Sequence, residues 1–133
     1  MASKRNKKKR PGSRPQNAGR AQKPKRPPAR PPLRTFTDIG PPGGPVVVLC
    51  HPAPGSSHLD PDPEATAAAG VRLVGVDRAG YGGSPPPPAG SVPNIAGYAD
   101  DVVAVLDRLA IDRPVAVAGW SAGGRVALAV AAR

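Results

Sequence analysis

Val115-Ala116-Val117-Ala118-Gly119-Trp120-Ser121-Ala122-Gly123 decides the fold of this 133-residue chain. Val115 to Ala118 is an uninterrupted run of small and branched apolar residues, the pattern of a strand covered on both faces. From Ala122 to Arg133 the sequence is rich in Ala and Val and reads as a helix still running at Arg133. Between strand and helix stands one serine with a glycine two residues to either side. The chain must therefore reverse sharply at Ser121.

Working upstream, Asn94 offers a helix N-cap. Behind it Ile95, Tyr98, Ala99, Val102, Val105, Leu106 and Leu109 recur at steps of three and four, while Asp100, Asp101, Asp107 and Arg108 fall mainly on the other face. Pro114 is expected to close that helical region. Val71 to Val76 and Val46 to Cys50 read as two more buried strands, with a short helix over Asp62 to Ala69 between them and a glycine stop at Gly70. Leu33 to Gly40 reads as a short edge strand, cut off by the breakers Pro41 to Pro45. Strands alternating with helices imply right-handed crossovers and an α/β fold: a three-layer, mostly parallel sheet with flanking helices. In such sheets chemistry collects at the C-terminal ends of strands. Those ends are Cys50 with His51, Asp77 with Arg78, and Gly119 with Ser121.

The charge is unevenly placed. Residues 1–34 hold all six lysines, seven arginines, seven prolines and no acidic residue, a net +13, whereas six arginines against nine Asp and Glu give the remainder −3. A segment so basic, so proline-rich and so poor in large apolar residues cannot offset the entropy of ordering it. We expect a disordered tail over 1–34 and a folded domain over 35–133. The tail can make weak, non-specific contact with polyanions, because dense cationic charge releases condensed counterions. It carries no aromatic residue for base stacking. No window is apolar enough to span a bilayer, and no hydrophobic core follows the basic start as a signal peptide requires, so a cytoplasmic location is expected. The single cysteine, Cys50, excludes an internal disulfide and fits a reducing compartment. Two histidines and one cysteine do not assemble a standard zinc set, so no metal or cofactor is expected.

Gly119-Trp120-Ser121-Ala122-Gly123 spells G-x-S-x-G, whose serine Oγ stands clear of the sheet while the following N–H lies at a helix N-terminus. The flanking glycines serve sterics, since side chains there would meet the neighbouring strand or helix. His51-Pro52-Ala53-Pro54-Gly55 resembles the His-Gly-x-Pro-Gly oxyanion loop of the α/β-hydrolase family, departing from it at Pro52. Asp77 to Ser84 resembles that family's Asp-x-x-Gly-x-Gly-x-Ser segment. The stretch from Tyr98 through Pro114 into the serine turn is similar as well. The resemblance covers about residues 34–133.

By that resemblance Ser121 is the nucleophile, the N–H groups of Ala53 and Ala122 form the oxyanion hole, and Gly119, Gly123, His51 and Gly55 support the motifs. Serine at this position implies acyl transfer on an ester, amide or related bond of a small-molecule substrate through an acyl-enzyme. Asp77 is read as a structural residue that bonds loop amides, His58 as solvent-facing, and Cys50 as a small buried residue. Trp120 walls part of the pocket or packs. After Ser121 there is no His, Asp or Glu. The resemblance therefore implies the N-terminal part of a hydrolase domain, truncated after the helix that follows the serine and inactive alone. The competing reading is an inactive fragment whose basic tail binds nucleic acid or another anionic surface.

Overall fold

The computed structural model describes residues 32–133. The tail expected over 1–34 lies outside the described residues except for its last three positions. Seven elements follow in order: β1 (Phe36–Ile39), β2 (Val46–Cys50), α1 (Pro63–Ala68), β3 (Arg72–Val76), α2 (Ile95–Arg108), β4 (Ala116–Gly119) and α3 (Gly123–Ala131). They build a four-stranded sheet in the order β1-β3-β2-β4. β2 pairs in parallel with β3 and β4, and the edge strand β1 pairs antiparallel with β3. The expected mostly parallel α/β sheet is what forms.

β2 lies inside the sheet because it has no polar side chain to expose. Val46, Val48 and Cys50 join Val74 and Val76 of β3 under Ala99, Val102 and Val105 of α2 and Val126, Ala127 and Val130 of α3. That is one hydrophobic layer between sheet and helices. On the other face the Ser57 carbonyl presses on Gly75, where a Cβ would collide with it. α1 is capped by Asp62 but buries no residue.

α2 begins where Asn94 Oδ1 accepts a hydrogen bond from the Gly97 N–H at 2.8 Å. It stops well before Pro114, because Ala110 takes a left-handed conformation with φ 52° that ends the helical run. α3 likewise ends at Ala131 with Ala132 as its cap, short of Arg133. Two expectations need correction on burial. The strand read as buried on both faces, β4, is largely exposed, since among the described residues it is an edge strand paired only to β2 and presents small Ala and Gly side chains. Asp101, placed with the solvent face, is drawn inward by Arg34, whose Nε lies 2.8 Å from its carboxylate with both side chains mostly covered.

That ion pair changes what a protease meets. Arg34 is tied to Asp101, and the Thr35 N–H donates to Ser84 Oγ at 3.0 Å, so the bond between them cannot straighten into a protease cleft. Limited trypsin digestion followed by intact-mass analysis is expected to leave a core that retains Arg34. Asp101→Ala should speed cleavage after Arg34 by about tenfold, because local opening then becomes easier. A parent core starting at Thr35 would show that the pair does not protect.

Candidate active site

The turn from β4 into α3 carries Ser121 at φ 53°, in the left-handed region, with its side chain exposed. A non-glycine residue there is strained by about 1–2 kcal/mol. Three backbone hydrogen bonds hold it: Trp120 N–H to Cys50 O at 3.1 Å, Gly123 N–H to Trp120 O at 2.9 Å and Gly124 N–H to Ser121 O at 3.0 Å. The two motif glycines permit this packing. A Cβ on Gly119 would lie 2.6 Å from the Gly123 carbonyl oxygen, and one on Gly123 would strike the Cys50 and His51 carbonyls at the end of β2. The serine turn is thus seated directly against the loop that follows β2.

Ala122 is the N-cap of α3 and has no side chain to cap the helix with. Ala53 is exposed in the loop after β2. Among the described residues neither N–H donates a hydrogen bond. Gly55 lets the loop fold back on itself, since a Cβ there would lie 2.9 Å from Pro52 O and 3.1 Å from His51 Nδ1.

His51 is 1% exposed. Its Nδ1 lies 2.7 Å from Pro52 O, and a carbonyl only accepts, so Nδ1 carries the proton. Nε2 then accepts the Arg78 backbone N–H at 3.3 Å. Both ring nitrogens are occupied, and His51 is not free to take a proton from Ser121. Asp77 is equally committed. It accepts from Ser57 N–H on Oδ1 and from Thr35 Oγ1 and Gly83 N–H on Oδ2, tying three segments together. Burial pushes the Cys50 thiol up to about 11, so it stays protonated at neutral pH. His58 is exposed.

In sequence Arg78 stands beside Asp77 at a strand end and carries no assigned role, because nothing local shows what its guanidinium meets. In the structure it is buried, with Nη1 on His51 O at 2.5 Å and Nη2 on Pro52 O at 2.8 Å. The one available signal was its place two residues beyond the end of β3, next to Asp77.

These buried groups set a pH dependence. Burial pushes the His51 imidazole below its ordinary 6.5, aided by the Arg78 charge and opposed by the Pro52 carbonyl and Asp77. For Asp77 burial works upward, but the hydrogen bonds from Thr35, Ser57 and Gly83 together hold the carboxyl below its ordinary 3.8. Both groups bind protons more weakly folded than unfolded. Each contribution is therefore full above the unfolded value and lost as pH falls through the window below it. The urea midpoint is expected to drop once as pH falls below 6.5 through His51. It drops again below pH 3.8 through Asp77. His51→Gln should abolish the first drop and keep the second; a parent midpoint flat down to the second would contradict this account.

The α/β-hydrolase fold family model matches residues 45–133, and the chain belongs to that family. Among solved structures it is similar to a carboxylesterase of the thaumarchaeon Nitrososphaera gargenis, with a TM-score of 0.67 and 22% identity over 78% of this chain and 39% of that one. It is also similar to an epoxide hydrolase of Vigna radiata, with a TM-score of 0.47 and 21% identity over 77% of this chain and 35% of that one. The chain thus spans well under half the length of either. No curated protein matches it significantly in sequence. Among the described residues no helix is long and apolar enough to cross a membrane.

Proposed function

We propose that this chain carries the nucleophile and oxyanion hole of a serine hydrolase that acts on an ester, amide or related acyl bond of a small molecule. The observation that carries the reading is Ser121 itself: an exposed serine held at φ 53° between a strand and a helix. Ser121 Oγ attacks the acyl carbonyl carbon as its proton passes to a base. The carbonyl π electrons move to oxygen, and the resulting oxyanion is met by the free N–H groups of Ala53 and Ala122, the latter at the positive end of α3. Collapse breaks the bond to the alcohol or amine and leaves an ester on Ser121, which water then cleaves. A serine at this position favours acyl transfer over the epoxide opening of the Vigna radiata protein. The single, buried cysteine fits a cytoplasmic, reducing setting.

The test is acetylation by p-nitrophenyl acetate at mildly alkaline pH, where hydroxide substitutes for a base, read by peptide mass spectrometry. Ser121 should be modified ahead of the other six serines. Equal labelling of all seven would remove the reading. The thirteen basic and no acidic residues of 1–34 support a second, weaker role in non-specific polyanion contact. Filter binding to DNA or RNA should then weaken steeply as salt rises.

A further inference from the structure

Arg78 is a cation with 7% exposure and no counter-ion. All nine carboxylate side chains of the protein lie among the described residues, and the ion pairs they form are Arg34–Asp101, Arg72–Asp38 and Arg133–Asp100. Its neighbour Asp77 spends both oxygens on Ser57, Thr35 and Gly83. A buried charge without a partner is costly, and an apolar side chain of similar volume often serves stability better. Stability is therefore a poor reason for a guanidinium here.

What the guanidinium does hold is backbone. Nη1 and Nη2 donate to the consecutive carbonyls of His51 and Pro52, while its Cζ lies 4.7 Å from the Tyr81 ring centroid and 5.9 Å from that of Tyr98. Rings from the β3 loop and from α2 fix the cation, and the cation fixes the loop. The Pro52 carbonyl and the Ala53 N–H are the two ends of one peptide group. That group is planar and trans, so the N–H points away from the carbonyl oxygen. Two donors converge on this oxygen, Arg78 Nη2 at 2.8 Å and His51 Nδ1 at 2.7 Å. Pinning the oxygen aims the N–H. A positive charge at the oxygen also draws electron density through the amide and strengthens the N–H as a donor.

We propose that Arg78 is a positioning residue that pins and polarises the Pro52–Ala53 peptide, aiming the Ala53 N–H at the oxyanion of an acyl-transfer intermediate. The catalytic half of this inference rests on the serine-hydrolase reading. The pinning half does not.

The experiment compares the parent chain with Arg78→Gln and Arg78→Lys by two readouts. The first is the NMR order parameter of the Ala53 N–H, with Val74 in the core as fold reference. In Arg78→Gln it is expected to fall from about 0.85 to below about 0.6, with Arg78→Lys between and Val74 unmoved. Should Arg78→Gln fail to fold, the lysine variant carries the comparison. The second is the rate constant for Ser121 acetylation. Arg78→Gln should lower it by on the order of 10–100-fold, at an unchanged half-saturating ester concentration, because the contact forms with the transition-state charge. Lysine should restore part of the rate. An Ala53 amide as rigid in both variants as in the parent overturns the proposal. A loosened amide with an unchanged acetylation rate overturns its catalytic half. If the parent is not acetylated above Ser121→Ala, the serine-hydrolase reading fails, and the Ala53 amide alone judges the pinning.

Discussion

Assayed with p-nitrophenyl acetate and butyrate at neutral pH, residues 1–133 by themselves are expected to show no sustained turnover above that of Ser121→Ala. A serine hydroxyl is a weak nucleophile at its own pKa and needs a base that takes its proton and later protonates the leaving group. Residues 122–133 contain no His, Asp or Glu. Ahead of Ser121 stand two histidines, and the structure removes one of them: His51 is buried with Nδ1 donating to Pro52 O and Nε2 accepting from Arg78. Asp77 cannot serve either, because both its oxygens are bonded to loop donors. Loss of the base alone typically costs on the order of 10⁶ in turnover, leaving a small residue of oxyanion-hole assistance. A single acetylation of Ser121 is compatible with this, since one event per chain is not turnover. Multiple turnover that vanishes in both Ser121→Ala and His58→Gln would instead identify the exposed His58 as an unconventional base.

The parts of this fold that were legible in the sequence are those set by short-range pattern. Val46–Cys50 had no polar position to expose, and the Asn94 cap with apolar steps behind it fixed where α2 begins. The G-x-S-x-G spacing was legible for the same reason, since a left-handed serine between strand and helix demands small neighbours. What escaped depends on partners distant in sequence. The apolar pattern of Val115–Ala118 reads like any buried strand; that β2 is its one neighbour among the described residues follows from the strand order of the resembled family, not from any local pattern. The inward turn of Asp101 depends on Arg34, 67 residues away. Arg78 escaped most completely. Its position at a strand end was legible, but its burial depends on the carbonyls of His51 and Pro52, 27 and 26 residues away.

Gly123→Ala and Gly124→Ala, adjacent and chemically identical changes, are expected to move stability in opposite directions. At Gly123 a new Cβ would press on the Cys50 carbonyl, its carbon 2.6 Å away, with the His51 carbonyl oxygen at 2.7 Å. Every atom it meets is backbone, so no rotamer change relieves the contact. The turn or the end of β2 must move. Overpacking of this kind costs about 3 kcal/mol, a large share of the roughly 5–15 kcal/mol that holds a small domain folded. At Gly124 the nearest atom to a new Cβ is the Gly119 carbonyl oxygen at 3.9 Å, an ordinary contact. There alanine gains helix propensity in the first turn of α3, worth up to about 1 kcal/mol. Urea denaturation of the two variants beside the parent should place the Gly123→Ala midpoint well below it and the Gly124→Ala midpoint at or above it. The order matters for chemistry as well as stability, because the Gly123 contact seats the Ser121 turn against the loop carrying Ala53. If Gly123→Ala unfolds with the parent's midpoint, the turn does not approach β2 that closely, and the oxyanion hole argued from that approach loses its geometry.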